Sequence, residues 1–231
     1  MINVNDVYRV VLAILNKEQR GLLTPDQFNR LARQAQLDIL DSTFSDYLRL
    51  SARIPKSMYY SEAGDPLELV RQKLAVMQKT AAVIVTTGTG PLPADYYKLF
   101  NVTTTGGLTE VEKISKEFYA YYGSSKLTAP TTAYPCYYQE GLNIKVLPTS
   151  ITSVDIDYIR KPADPKWDYT GGTGAAYTYD ATGSTQFELH PASEYDLVIK
   201  ILALAGVIVK DPSIFEMARA EQADSFTKDN V

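Results

Sequence analysis

The stretch Val83-Ile84-Val85-Thr86-Thr87-Gly88-Thr89-Gly90-Pro91 divides the chain into two kinds of sequence. Five β-branched residues in a row favour extended backbone, and the glycines and proline that follow stop it in a turn. The change of pattern begins near Ala81. Before it, apolar residues recur every three or four positions, which is the helical period. After it, they alternate or gather in short runs.

Upstream of this stretch, three helices are predicted. Val4, Val7, Tyr8, Val11 and Leu15 make one apolar stripe, with Asn3 as N-cap and Gly21 as the break that follows. Lys17-Glu18-Gln19-Arg20 suits a helix C-terminus, where Arg20 complements the dipole. Thr24-Pro25-Asp26-Gln27 then gives a hydroxyl cap, proline at the first helical position, an early acid and a glutamine placed to complete a capping box. Its stripe runs Phe28, Leu31, Ala32, Ala35, Ile39, Leu40, Phe44, Tyr47 and Leu48, and it ends before Pro55. Asp65-Pro66-Leu67-Glu68 repeats the signal, with Leu67, Val70, Leu74 and Met77 as stripe.

Downstream, residues 97–104 read as a strand before Gly106-Gly107. Residues 134–139 and 142–147 flank Glu140-Gly141 as a hairpin. In 151–160, Thr152, Val154, Ile156 and Tyr158 form the apolar face, opposite Ser153, Asp155 and Asp157. One short helix is expected near 113–121. Residues 168–185, rich in glycine and polar side chains, read as a long irregular loop. Helix returns at His190-Pro191-Ala192-Ser193-Glu194, with Leu197, Val198, Ile201, Leu202 and Ala205, and is expected to close at Gly206. Asp211-Pro212 starts a last helix.

Helices, then strands, then helices define an α+β fold. The expected organisation is a helical part over 1–80, a β-rich insert over 81–189 containing the 168–185 loop, and C-terminal helices over 190–231 that pack back on the first part. The insert is expected to be a mostly antiparallel meander.

The composition narrows the function. Of 231 residues one is cysteine and one is histidine, and the formal net charge is −4. A single thiol, Cys136, forms no intrachain disulfide and no multi-cysteine metal site. His190, beside a proline at a helix start, is explained by capping rather than by a catalytic triad. The 23 basic residues are dispersed among 27 acidic ones, which disfavours sequence-independent phosphate binding. Gly88-Thr89-Gly90-Pro91 and Gly171-Gly172-Thr173-Gly174 lack the lysine and spacing of nucleotide loops. Asp155 and Asp157 share a strand face, but no further ligands converge on them, so a solvated face is the better reading; Asp164 and Asp168 add none. No enzyme activity, cofactor or metal is therefore expected. Met1-Ile2-Asn3-Val4-Asn5-Asp6 lacks signal-peptide character, and the apolar run 197–209 is too short to span a bilayer. A reducing cytoplasm and no membrane partner are expected.

Tyrosine stands out, at 17 against 7 phenylalanines. Its apolar ring and polar tip suit both sheets and interfaces. Tyr119, Tyr121, Tyr122, Tyr134, Tyr137 and Tyr138 cluster where no Lys or Arg lies between Lys126 and Lys145. That favours a sheet face or a subunit contact over base stacking.

Three stretches carry a resemblance. Asn16-Lys17-Glu18-Gln19-Arg20-Gly21-Leu22-Leu23-Thr24-Pro25-Asp26-Gln27-Phe28-Asn29, with Ala32, Gln34, Ala35 and Gln36, resembles the opening of a family of virion proteins in crAss-like and related short-tailed bacteriophages. Tyr158-Ile159-Arg160-Lys161-Pro162-Ala163-Asp164-Pro165-Lys166-Trp167-Asp168-Tyr169 is similar to that family's later signature. The block from Phe187-Glu188-Leu189-His190-Pro191 through Leu204-Ala205-Gly206 to Asp211-Pro212 also looks alike. The resemblance implies a head-tail connector subunit, a helical bundle with a β-domain in rings of about twelve copies. The implied partners are copies of itself and the portal or adjacent ring and tail proteins, with DNA passing through without specific binding. The implied location is the virion, after assembly in the host cytoplasm. The rival reading is a tail-associated receptor- or carbohydrate-binding module.

On the ring reading, Trp167, Tyr169, Tyr177 and Tyr179 are the subunit-interface candidates, since Trp and Tyr dominate interface hot spots. The loop around them is expected to order against a neighbour. Deleting 171–183 is then expected to spare the monomer and weaken assembly.

Overall fold

The structure, a computed structural model, describes residues 1–17, 23–53, 66–107, 109–124, 127–171 and 177–208. In chain order the elements are α1 (Val4–Lys17), α2 (Pro25–Arg53), α3 (Pro66–Ala75), β1 (Gln78–Ile84), β2 (Thr89–Pro91), β3 (Tyr96–Thr104), β4 (Glu112–Lys113) and α4 (Lys116–Ser124). Then follow β5 (Cys136–Glu140), β6 (Asn143–Leu147), β7 (Ser153–Arg160), β8 (Lys166–Thr170), β9 (Thr178–Thr185), a 3-10 turn (Pro191–Ser193) and α5 (Glu194–Ile208). The fold is α+β. The contacts divide the chain into two units, Met1–Val76 with Pro162–Val231, and Met77–Lys161.

The helical unit follows its sequence signals closely at its start. Asn3 caps α1 by accepting from the Asn5 N–H at 2.9 Å, and all five stripe residues are buried. Thr24 and Gln27 close a reciprocal capping box at the start of α2: Thr24 N–H donates to Gln27 Oε1 at 3.0 Å, and Gln27 N–H to Thr24 Oγ1 at 3.4 Å. Phe28, Leu31, Ala32, Ala35, Ile39 and Leu40 are buried as expected, whereas Leu48 is exposed. α3 packs on α2, and α5 packs on both α1 and α2. Asp65, the Glu18–Gly21 segment and the expected helix after Asp211 lie outside the described residues. α5 runs through the expected stop at Gly206 to Ile208, with Leu202, Ala203 and Ala205 buried before it.

The 168–185 segment departs from expectation. β8 and β9 pair antiparallel, with Tyr169 opposite Tyr179 and Thr170 opposite Thr178. Together they form a two-stranded sheet against α1 and α2. The segment 162–189, expected in the β-rich insert, thus belongs with the helices. Backbone pairs at the N-terminus tie it further: Ile2 and Phe187 exchange both N–H···O bonds, at 3.2 and 3.1 Å.

The Met77–Lys161 unit holds two sheets, ordered β1-β7-β3 and β2-β6-β5-β4. This corrects the meander: β7 enters between strands made much earlier, and of the ladder pairs in this unit β5 and β6 alone are sequence neighbours joined by a short turn. β4 pairs β5 in parallel, and the remaining pairs in this unit are antiparallel. Val154, Ile156 and Tyr158 face the core, with Val83, Val102, Val111, Ile144 and Val146. The stretch 83–91 resolves into β1, a tight two-residue turn and β2. Thr86 and Thr89 exchange both backbone bonds, and Thr87 and Gly88 have φ of 50° and 79°, as a mirror-image hairpin turn requires. Gly141, with φ of 61°, turns β5 into β6.

Candidate functional site

The helical unit is closed by side-chain amides that reach backbone far away in sequence. Asn29, on α2, accepts from the Trp167 N–H at 2.8 Å and donates to the Trp167 carbonyl at 3.1 Å. It takes the place that a neighbouring strand would hold beside β8. Seven residues on, two helical turns along the same face, Gln36 repeats the device. Its Nε2 donates to the Ala163 carbonyl at 2.8 Å, and its Oε1 accepts from the Glu188 N–H at 3.0 Å. Gln36 is only 1 % exposed. Between them Arg33 pairs with Asp164 at 3.1 Å, and Glu188 accepts from the Ala163 N–H at 2.7 Å. The three stretches that carry the resemblance thus meet here.

Trp167 sits at the centre of this junction. It is 4 % exposed, its indole N–H donates to Asn5 Oδ1 at 3.1 Å, and its ring lies 4.3 Å from Tyr8. Tyr169 and Tyr179 stack on it, each at 5.8 Å, and Tyr177 meets Tyr169 edge-on at 4.8 Å. Burial, with Tyr177 and Tyr169 nearby, pushes the Tyr8 hydroxyl up to about 12. The four interface candidates are therefore brought together, but as one aromatic stack within the chain. Trp167 is core, Tyr169 and Tyr179 are half-buried, and Tyr177 is exposed. A 171–183 deletion would remove most of β9, including Tyr179, so it is not neutral to this unit.

In the other unit the tyrosine cluster splits by strand geometry. Tyr137 and Tyr138 are adjacent on β5 and point to opposite faces. Tyr137 lies in the core, where burial pushes its hydroxyl up to about 12. Tyr138 receives Tyr119 of α4 edge-on at 4.5 Å. Glu140 accepts from both Lys116 and Lys145, the latter at 3.0 Å, and those bonds lower its pKa to about 2. On α4, Phe118, Tyr121 and Tyr122 are exposed, as is Tyr134 before β5. A second network joins Lys79, Asp95 and Tyr158: Lys79 Nζ and the Tyr158 hydroxyl donate to Asp95 at 2.7 and 2.8 Å. Lys79 and Tyr158 hold the Asp95 carboxyl below its ordinary value.

The remaining candidates fill structural roles. His190 caps the 3-10 turn, its Nδ1 accepting from the Ala192 N–H at 3.2 Å. Cys136 is buried, and burial pushes its thiol up. Asp157 accepts from Thr80, and Asp155 from the Gly106 N–H at 3.1 Å. Asp168 pairs with Lys166 at 3.0 Å. Among the described residues no group of three or more His, Cys, Asp or Glu side chains converges on a metal position. Among them, too, no helix is long and apolar enough to cross a membrane. Gly172-Thr173-Gly174 lies outside the described residues.

The model of the SU10 adaptor protein family matches residues 25–229, and the chain belongs to that family. No curated protein matches it. The family assigns the chain a structural adaptor role in a phage and a place in the virion. Asn29 and Gln36 belong to no cap or stripe that the sequence pattern marks. Their signal was present as two polar residues seven apart beside the buried stripe of α2.

Proposed function

We propose that the chain is one subunit of a ring in the head-tail connector of a crAss-like or related short-tailed phage, forming part of the DNA passage below the portal. The observation that carries this is the adaptor-family match over residues 25–229. The ring is built from about twelve copies, each interface using two different patches. A formal charge of −4 per copy suits a passage wall that lets DNA slide, because phosphate binding needs clustered cations. The protein acts as structure rather than as a catalyst, and assembles in the host cytoplasm against the portal or neighbouring ring and tail proteins. Of the four aromatic interface candidates, the reading now rests on Tyr177, which is 40 % exposed.

Imaging of purified particles tests this. Density for the chain is expected as a closed ring on the axis between portal and tail. Density elsewhere in the particle overturns the ring. A tail-associated receptor- or carbohydrate-binding module is the second reading, favoured by the exposed Tyr121 and Tyr134. It predicts peripheral density and retention of the isolated chain on host surface glycans.

A further inference from the structure

The outer face of α4 is more apolar than its packed face. Tyr119 turns toward Tyr138. Gly123 lies over Leu147, which a Cβ on that glycine would meet at 3.5 Å, and Lys116 reaches Glu140. No residue of α4 is buried. The side chains left pointing outward, Phe118, Tyr121 and Tyr122, are 58 %, 73 % and 37 % exposed. Leu147 is the register partner of Cys136, so the end of α4 lies where β5 begins. Tyr134, just before β5, is 82 % exposed, and Leu127, just after α4, is 97 % exposed.

The size of this patch is informative. At about 200 Å² per large side chain, these five expose roughly 700 Å². That approaches the ~800 Å² that each partner contributes to a stable protein interface. Its chemistry selects among occupants. Lys116 and Lys145 beside it are both engaged by Glu140, which leaves them poorly placed to hold a phosphate backbone. A closed ring also requires a second, different patch on the same subunit. The same unit supplies one. β1 is an edge strand whose ladder partner is β7; its other edge meets β2 only at the Thr86–Thr89 turn, and Ile84 at its end is 74 % exposed.

We propose that the α4 face, Phe118, Tyr121 and Tyr122 with Leu127 and Tyr134, is covered by a second copy of this chain in the assembled virion. This deepens the ring reading and rests on it. The test places a photoreactive benzoylphenylalanine at Tyr121 in the full chain, incorporates it into particles, and maps the adduct by mass spectrometry. The expected adduct joins two copies of this chain. An adduct to a different virion protein, or none, overturns the proposal. The double variant F118S/Y121S, which removes no buried side chain, is expected to keep its near-ultraviolet circular dichroism. Its self-association should weaken by roughly thirtyfold; unchanged self-association overturns the assignment. Imaging the same particles separates the two readings. A chain found off the axis removes the ring, whereas an on-axis chain with a foreign adduct removes only the α4 assignment.

Discussion

In the Met77–Lys161 unit β7 has a strand on each side, β1 and β3, and its backbone is satisfied by ladders. In the helical unit β8 has β9 on one side and a helix on the other. A helix has no backbone groups to offer sideways, since its own are spent along the axis. The Asn29 and Gln36 amides supply the missing partners. β7 is thus tied by many interchangeable ladder bonds, the helix-facing edge of β8 by a few that each depend on one side chain. Buried backbone must be paired somewhere, and the fewer the partners, the more each substitution should cost.

This contrast can be tested at four places. The largest effect is expected for Trp167→Ala, which empties the centre of the aromatic stack. A loss of about 3–5 kcal/mol is expected in denaturant unfolding, with faster amide exchange in α1 and α2 and unchanged protection in β7. Spread of the effect into β7 would break the distinction between the units. Gln36→Ala leaves a buried donor and acceptor unpaired and should cost about 2–4 kcal/mol. If it proves as mild as an exposed substitution, water replaces the amide and the comparison weakens. Gly90→Ala probes the sheet unit, because the added Cβ would lie 2.7 Å from Val83 Cγ1 and 3.0 Å from the Ile84 carbonyl. Overpacking there should cost about 1–3 kcal/mol, read as a lowered denaturation midpoint.

The smallest effect concerns Glu140. Its pKa is depressed from 4.5 to about 2 by Lys116 and Lys145. A depressed carboxylate stabilises above its ordinary value, and that contribution fades as pH falls from 4.5 toward about 2. Amide protection factors in α4, corrected for the intrinsic pH dependence of exchange, should fall over that window. The change should shrink in high salt, since the group is exposed, and vanish in Glu140→Gln.

How much of this was legible in the sequence follows from where each signal resides. α1 and the start of α2 could be read because cap and stripe lie within one turn of each other: Asn3, Thr24, Gln27 and the positions they introduce. β7 was legible because Val154, Ile156 and Tyr158 alternate with polar residues. β9, Thr-Tyr-Asp-Ala-Thr-Gly-Ser-Thr, was not. It carries little apolar pattern of its own and is a strand because β8 pairs with it. The strand order β1-β7-β3 is likewise a long-range choice, with Gln78 opposite Ile159, that no local period encodes. Among the candidate residues, tyrosine content signalled a contact role without assigning individual rings to a core or a surface. Trp167 turned inward because Asn5 and Asn29 satisfy its polar groups from helices more than a hundred residues earlier.

The amide clasps also set a timetable for synthesis. Asn29 waits for a partner 138 residues later, and Gln36 for partners 127 and 152 residues later. While the ribosome works through that interval, the Met77–Lys161 segment has every strand it needs and is free to mature first. The earliest-made helices are therefore among the last parts to lock. Until they do, their apolar stripes are exposed to chaperones and to other nascent copies of the same chain.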